Sequence, residues 1–242
     1  MKKKLENLGG GGTKLSFSLP VDKSANGDYN SNMRNYKSGF TLAEVLITLG
    51  IIGIVAALTI PNLISSYKKK EYSTKLKRFY STMQQAIQLS SIDNASPASW
   101  EYPSGKPKDA DEFWTKYFAP YFKTVTSTDI KGDWFYVYFM DGSHLRMHSG
   151  SALDIIYAVG DSDIEHEDMG VRTFYFLMYK DSGKFTPYTW TGDIPKDDEE
   201  ISTDMYDKEN LKKLCNDKSR NHCSQLLFLD NWEFKDDYPL KI

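Results

Sequence analysis

The stretch that decides the fold is NYKSGFTLAEVLITLGIIGIVAALTIPNLISSYKKK, residues 35–70. Within it, residues 40–64 are apolar on every face, with a single carboxylate, Glu44, near the start. As a helix this segment spans roughly 37 Å, enough to cross the hydrocarbon core of a bilayer. A core helix of a globular domain would carry one apolar stripe. A cleaved secretory signal would have a shorter apolar region followed by a small-residue cleavage site. Neither pattern fits, so the segment reads as a transmembrane helix. Glu44 then needs a reason, because a lone carboxylate at the centre of such a helix costs about 2.5–3.5 kcal/mol on insertion scales and less near an end.

Towards the C-terminus the helical pattern continues but changes character. Tyr72, Leu76, Phe79, Met83 and Ile87 recur at helical spacing, while Lys70, Ser73, Lys77, Ser81 and Gln84 occupy the other face. Residues 65–92 are therefore expected to form an amphipathic helix that continues the span, with Pro61 kinking or loosening the join. Towards the N-terminus, residues 1–32 are rich in Gly, Ser and Asn and cannot supply a core. They read as a disordered extension or as the product of an upstream start. Initiation at Met33 would leave a short basic leader, MRNYKSG, ending at Gly39.

The remainder, residues 93–242, reads as a soluble β-rich domain. Residues 93–131 are loop-rich, with Pro97, Pro103, Pro107 and Pro120 and one short helix at 111–118. Strands are expected at 134–140, 143–149, 153–159 and 172–179, with turns at Asp141-Gly142 and at 181–183. That makes an antiparallel sheet of about four strands with one face free to pack on the amphipathic helix. The fold class is α+β, a long N-terminal helix packed on a C-terminal antiparallel sheet. Residues 193–210 read as an acidic loop, and residues 215–242 hold one last short apolar segment.

The 242 residues carry a formal net charge of −3 and 14% aromatics. This composition suits a folded domain and excludes a nucleic-acid footprint over the whole surface. No P-loop, nucleophile elbow or HExxH motif is present, so an enzyme is not expected. The two cysteines, Cys215 and Cys223, have neither CxxC spacing nor enough companions for a zinc ribbon. In an exported domain such a pair suggests a disulfide. Two reduced cysteines are the alternative, and His222 beside Cys223 is only a weak pointer to metal. His144 and His148 fall on one face of a strand and read as surface residues. No cofactor is expected. The cluster Asp161, Asp163, Glu165, Glu167 and Asp168 reads first as a solvated acidic loop. Calcium at Asp161, Asp163 and Glu165 is the alternative, although the segment does not match an EF-hand loop.

The segment KSGFTLAEVLITLGIIGIVAALTIPNLI, residues 37–64, resembles the N-terminus of type IV prepilins and type II secretion pseudopilins. The resemblance rests on the basic leader, Gly39 before Phe40, Thr41-Leu42, Glu44 as the fifth residue of the mature chain, and the apolar helix with Pro61. It implies a pilin-like fold and cleavage between Gly39 and Phe40 by a prepilin peptidase, with N-methylation of Phe40. It implies a single-pass protein of the bacterial inner membrane, its C-terminal domain outside the cytoplasm. There the apolar helix contacts lipid until the pilus or secretion machinery assembles it against other pilin-like subunits. Glu44 would pair with the Phe40 amine of a neighbouring subunit. Gly53 and Ala57, small residues at i, i+4 spacing, read either as a site of close helix approach or as ordinary small residues of an apolar helix, and the resemblance implies that residues 53–61 loosen within a filament. Some pilins carry a C-terminal disulfide loop, which agrees with the position of Cys215 and Cys223 although its spacing differs among them, and some pseudopilins bind calcium.

One feature opposes that topology. Arg34 and Lys37 precede the span, but Lys68, Lys69, Lys70, Lys75, Lys77 and Arg78 follow it, so counting positive charges would place the C-terminal side in the cytoplasm. The processing motif and the cysteine pair favour export. A type IV pilus and a secretion pseudopilus both remain open. So does a single-pass anchored binding protein that never polymerises. A DNA-uptake pilin is a narrower alternative. Lys68–Lys70 lie too close to the membrane junction for a distal DNA site, and nucleic acid is not an expected partner.

Overall fold

α1, Leu42–Asp93, is assigned without interruption through Pro61. The computed structural model describes residues 39–160, 168–190 and 207–242. The leader up to Ser38, with Met33, and the calcium candidates Asp161, Asp163 and Glu165 lie outside them, as does most of the expected acidic loop at 193–210. The chain divides into two units, residues 1–49 and 50–242.

The second half of α1 buries one face, as its periodicity predicts. Leu76, Phe79, Met83, Ala86, Ile87 and Ser90 are buried, and Tyr72 packs at the margin. They meet an antiparallel sheet whose strands follow chain order: β1 Val125–Lys131, β2 Trp134–Phe139, β3 His144–Ser149, β4 Leu153–Ala158, β5 Thr173–Met178 and β6 Phe185–Pro187. Alternation along each strand turns one set of side chains inward. Phe135, Met147, Ile155 and Phe176 line up across four strands as register partners and are all buried. Phe79 of α1 stacks on Tyr157 with ring centroids 4.0 Å apart and meets Phe176 edge-on at 5.3 Å. Two polar contacts hold the helix to the strands beneath it. Lys75 Nζ donates to the Val159 carbonyl at 2.8 Å, and Gln84 Nε2 donates to the Phe185 carbonyl at 3.0 Å.

The sheet is larger than expected, with six strands among the described residues in place of about four. β1 (VTSTDIK) is a polar edge strand, exposed along nearly its whole length, so no apolar alternation marks it. It is held by pairing with β2. β6 is three residues long and contains Pro187, too short for a periodic signal. The short helix expected at 111–118 begins earlier: α2 spans Pro107–Tyr117 with Pro107 in its first turn, where a missing N–H costs nothing. It buries Ala110, Phe113, Trp114 and Tyr117.

The C-terminal segment holds two helices where a single apolar stretch was expected, α3 Lys208–Cys215 and α4 Cys223–Leu229. The Asp207 side chain accepts from the Glu209 amide and caps α3. A Cys215–Cys223 disulfide joins the end of α3 to the start of α4. Gly170, at φ +76°, lies against this bridge, and a β-carbon there would collide with Cys223 Sγ and Leu240. Tyr238 Oη donates to the Gly170 carbonyl at 2.6 Å. Lys212 and Lys208 both pair with Asp237, at 2.7 and 3.2 Å, and hold its carboxyl below the usual range. Beyond α4 the chain runs back along α1. Tyr80 lies 5.3 Å from the Phe228 ring and 5.1 Å from Trp232, and Ser65 Oγ donates to the Ile242 carbonyl at 2.9 Å.

The disulfide closes a short loop, so replacing both cysteines by serine should lower stability by about 2–3 kcal/mol in the chain-entropy model. Thermal unfolding in detergent should show a correspondingly lower midpoint. Gly170→Ala with the disulfide intact should also be destabilising, because the new methyl has no room.

Candidate functional site: the capped apolar helix

The N-terminal end of α1 is closed by its own side chains. Thr41 immediately precedes the helix, and Glu44 is its third residue. The Thr41 N–H donates to Glu44 Oε2 at 2.8 Å, and Thr41 Oγ1 donates to the same oxygen at 2.9 Å. The Glu44 N–H donates back to Thr41 Oγ1 at 3.2 Å. This reciprocal arrangement is a capping box, which satisfies helix N–H groups that have no carbonyl partner. It also places a carboxylate at the positive end of the helix dipole. Glu44 therefore has partners within its own chain, a role that the reading of the apolar run missed. The signal was present in TLAE, residues 41–44, which has the T-x-x-E spacing of the box.

Beyond the cap the helix presents bare apolar surface. Phe40 is 89% exposed, and Leu46, Ile52, Leu58 and Leu63 are each 61% exposed or more. The most apolar window of α1 has a mean hydropathy of 2.3, and none of it is buried. Among the described residues this is the one helix long and apolar enough to cross a membrane. A patch of this extent does not occur on an ordinary soluble monomer. A β-carbon added at Gly53 would meet nothing within 4 Å, so packing inside this chain does not require glycine there. A small residue at that position instead leaves room for the backbone of another helix. Pro61 lacks an N–H, which leaves the carbonyl of Ala57 without its ordinary helical partner. Gly39 and Phe40 precede the helix, both exposed, so the bond between them is open to approach.

The structure thus joins Thr41 to Glu44, sets Gly53 and Pro61 further along the same helix, and places the Cys215–Cys223 bridge in the C-terminal segment. One histidine reading changes. His144 is buried, with its ring 5.4 Å from Tyr138 and 6.3 Å from Tyr136. Its strand position faces neighbouring aromatics and not open solvent. His222 is also fully buried, with Nε2 hydrogen-bonded to the Trp190 carbonyl at 3.1 Å. Among the described residues no group of three or more His, Cys, Asp or Glu is placed to hold a metal.

In its capped, exposed apolar helix that follows a Gly-Phe junction, turns amphipathic and packs on an antiparallel meander, the chain is similar to type IV prepilin-like proteins. Residues 34–60 match the prokaryotic N-terminal methylation motif. The chain belongs to the family of unknown function DUF6613, which it matches over residues 62–242. It is similar to the type IV wide pilus major component PilA4 of Thermus thermophilus, with 40% identity over 67 residues, 28% of this chain and 50% of that protein. The similarity thus spans half the length of that relative. No solved structure matches the chain at a significant level.

If Thr41 closes the helix, Thr41→Ala should fray its first turn at a cost of about 1 kcal/mol. Amide hydrogen exchange of the full chain in micelles should then be faster at Glu44, by roughly fivefold, with Thr41→Ser restoring protection.

Proposed function

We propose that the protein is a filament subunit that waits in the inner membrane as a single-pass protein and is then assembled into a type IV pilus or a secretion pseudopilus. Its role is structural, not catalytic. A prepilin peptidase cuts between Gly39 and Phe40 and methylates the new amine of Phe40. The observation that carries this reading is the fully exposed apolar half of α1. Lipid covers that surface before assembly, and the same helix of neighbouring subunits covers it afterwards.

Glu44 takes part in both states. Before assembly the capping box supplies its hydrogen bonds, which lowers the cost of keeping a carboxylate near lipid. Cleavage creates a cation at Phe40, and methylation keeps its charge. When a neighbour's Phe40 amine arrives, the pair offsets part of the desolvation of both groups. Subunits docked in register are then favoured over subunits alone in lipid. Gly53 permits close approach, and the backbone around Pro61 is where the helix has a hydrogen bond missing and can yield.

The capping box also supports a second reading, in which the chain is an anchored binding protein that never polymerises. Glu44 then serves only its own helix.

Processing is tested by expressing the full chain with and without a prepilin peptidase and sequencing its N-terminus by mass spectrometry. The expected product begins at N-methylated Phe40 only when the peptidase is present. An uncut chain, or a cut at another bond, contradicts the reading.

A further inference from the structure

We infer that Lys68, Lys69 and Lys70, together with Tyr67, form a collar that binds anionic phospholipid headgroups in the leaflet facing the folded domain. The inference rests on the membrane-anchored state proposed above. Among the described residues, none of the three lysines makes a salt bridge or a hydrogen bond through its side chain, although Lys68 and Lys70 are exposed and Lys69 half-buried. Among the described residues, two nearby acids are already engaged. Glu71 pairs with Lys75 at 3.0 Å, and Asp168 pairs with Arg172 at 2.6 Å. Among the described residues, no side-chain carboxylate neutralises the positive charge of the collar.

Its position and shape identify the partner. The lysines begin four residues after Ile64, where the apolar run ends, and Tyr67 beside them is 68% exposed. An amphipathic ring at the end of an apolar span is what sits at the headgroup level. Three consecutive helical residues fan over roughly 200° while rising only about 3 Å. Such a fan suits a charged plane around the helix better than a partner docking along one side, which would use residues spaced by three or four. Lysine stems can lie along the apolar boundary while their ammonium groups reach phosphate oxygens. The collar also accounts for the excess of positive charge after the span. Those lysines serve the surface they meet once the domain has crossed, and are not a signal for retention.

The test uses the full chain reconstituted in vesicles of equal parts phosphatidylcholine and phosphatidylglycerol, with spin-labelled probes of each lipid. The motionally restricted fraction should favour phosphatidylglycerol over phosphatidylcholine by at least about twofold. High salt should remove the preference. The triple variant Lys68→Gln, Lys69→Gln, Lys70→Gln should lose it, and the triple Lys→Arg variant should keep it. Equal association of the two lipids with the wild-type chain, or a preference unchanged by the Gln substitutions, overturns the collar while leaving the anchored state intact. A chain that alkaline carbonate strips from the vesicles overturns the anchored state, and the collar with it.

Discussion

Among the described residues nothing covers the apolar half of α1, and this constrains the rest of the molecule. Thirteen Leu, Ile and Val side chains between Leu42 and Ile64 are exposed. At a lower figure of about 1.5 kcal/mol each, leaving them in water costs on the order of 20 kcal/mol. That exceeds the roughly 5–15 kcal/mol by which a typical domain is stable. The helix must therefore be covered by something else. Lipid and other copies of the same helix are two apolar environments of suitable length, and a protein that moves from one to the other can exchange them without exposing the helix to water.

The core of the folded domain draws little on the apolar half of α1. It takes only the second half of α1, from Leu76 to Ser90. The stacked rings of Phe79 and Tyr157 sit on the central strands. The C-terminal segment returns along the helix and reaches back as far as Ser65. Ordered packing thus begins close to where the apolar span ends. The disulfide, with Gly170 pressed against it, holds the segment that makes this return. The cap at Thr41 and Glu44 addresses the other end, where the carboxylate finds hydrogen bonds within its own chain.

Much of this was legible in the residues because the long helix changes its pattern once. An all-round apolar run followed by a stripe at helical spacing specifies both the helix and the face that meets the sheet. β2, β4 and β5 were equally plain, since their β-branched and aromatic residues sit on buried strands, and β3 was marked by the Asp141-Gly142 turn that precedes it. β1 was not legible, because an edge strand of Thr, Ser, Asp and Lys is held by backbone pairing and has no apolar period to show. β6 is too short to carry one. At the site, the Gly39–Phe40 junction, Glu44 and the cysteine pair stood out by residue type. The capping box was hidden for a different reason. Glu44 looked anomalous against a membrane, which drew attention from its spacing to Thr41, although that spacing is a local signal needing no membrane at all. The burial of His144 and His222 depends on tertiary packing that no local pattern encodes.

The account turns on whether Glu44 exchanges its own Thr41 for a neighbour's amine, and Glu44→Gln measures this most directly. Glutamine at the third helical position can still complete a capping box but cannot form an ion pair. Amide exchange at the start of α1 should therefore be unchanged in the variant, while filament formation in cells that process the chain should be lost. Filaments formed at the wild-type level by Glu44→Gln would contradict the account and leave Glu44 as a helix cap alone.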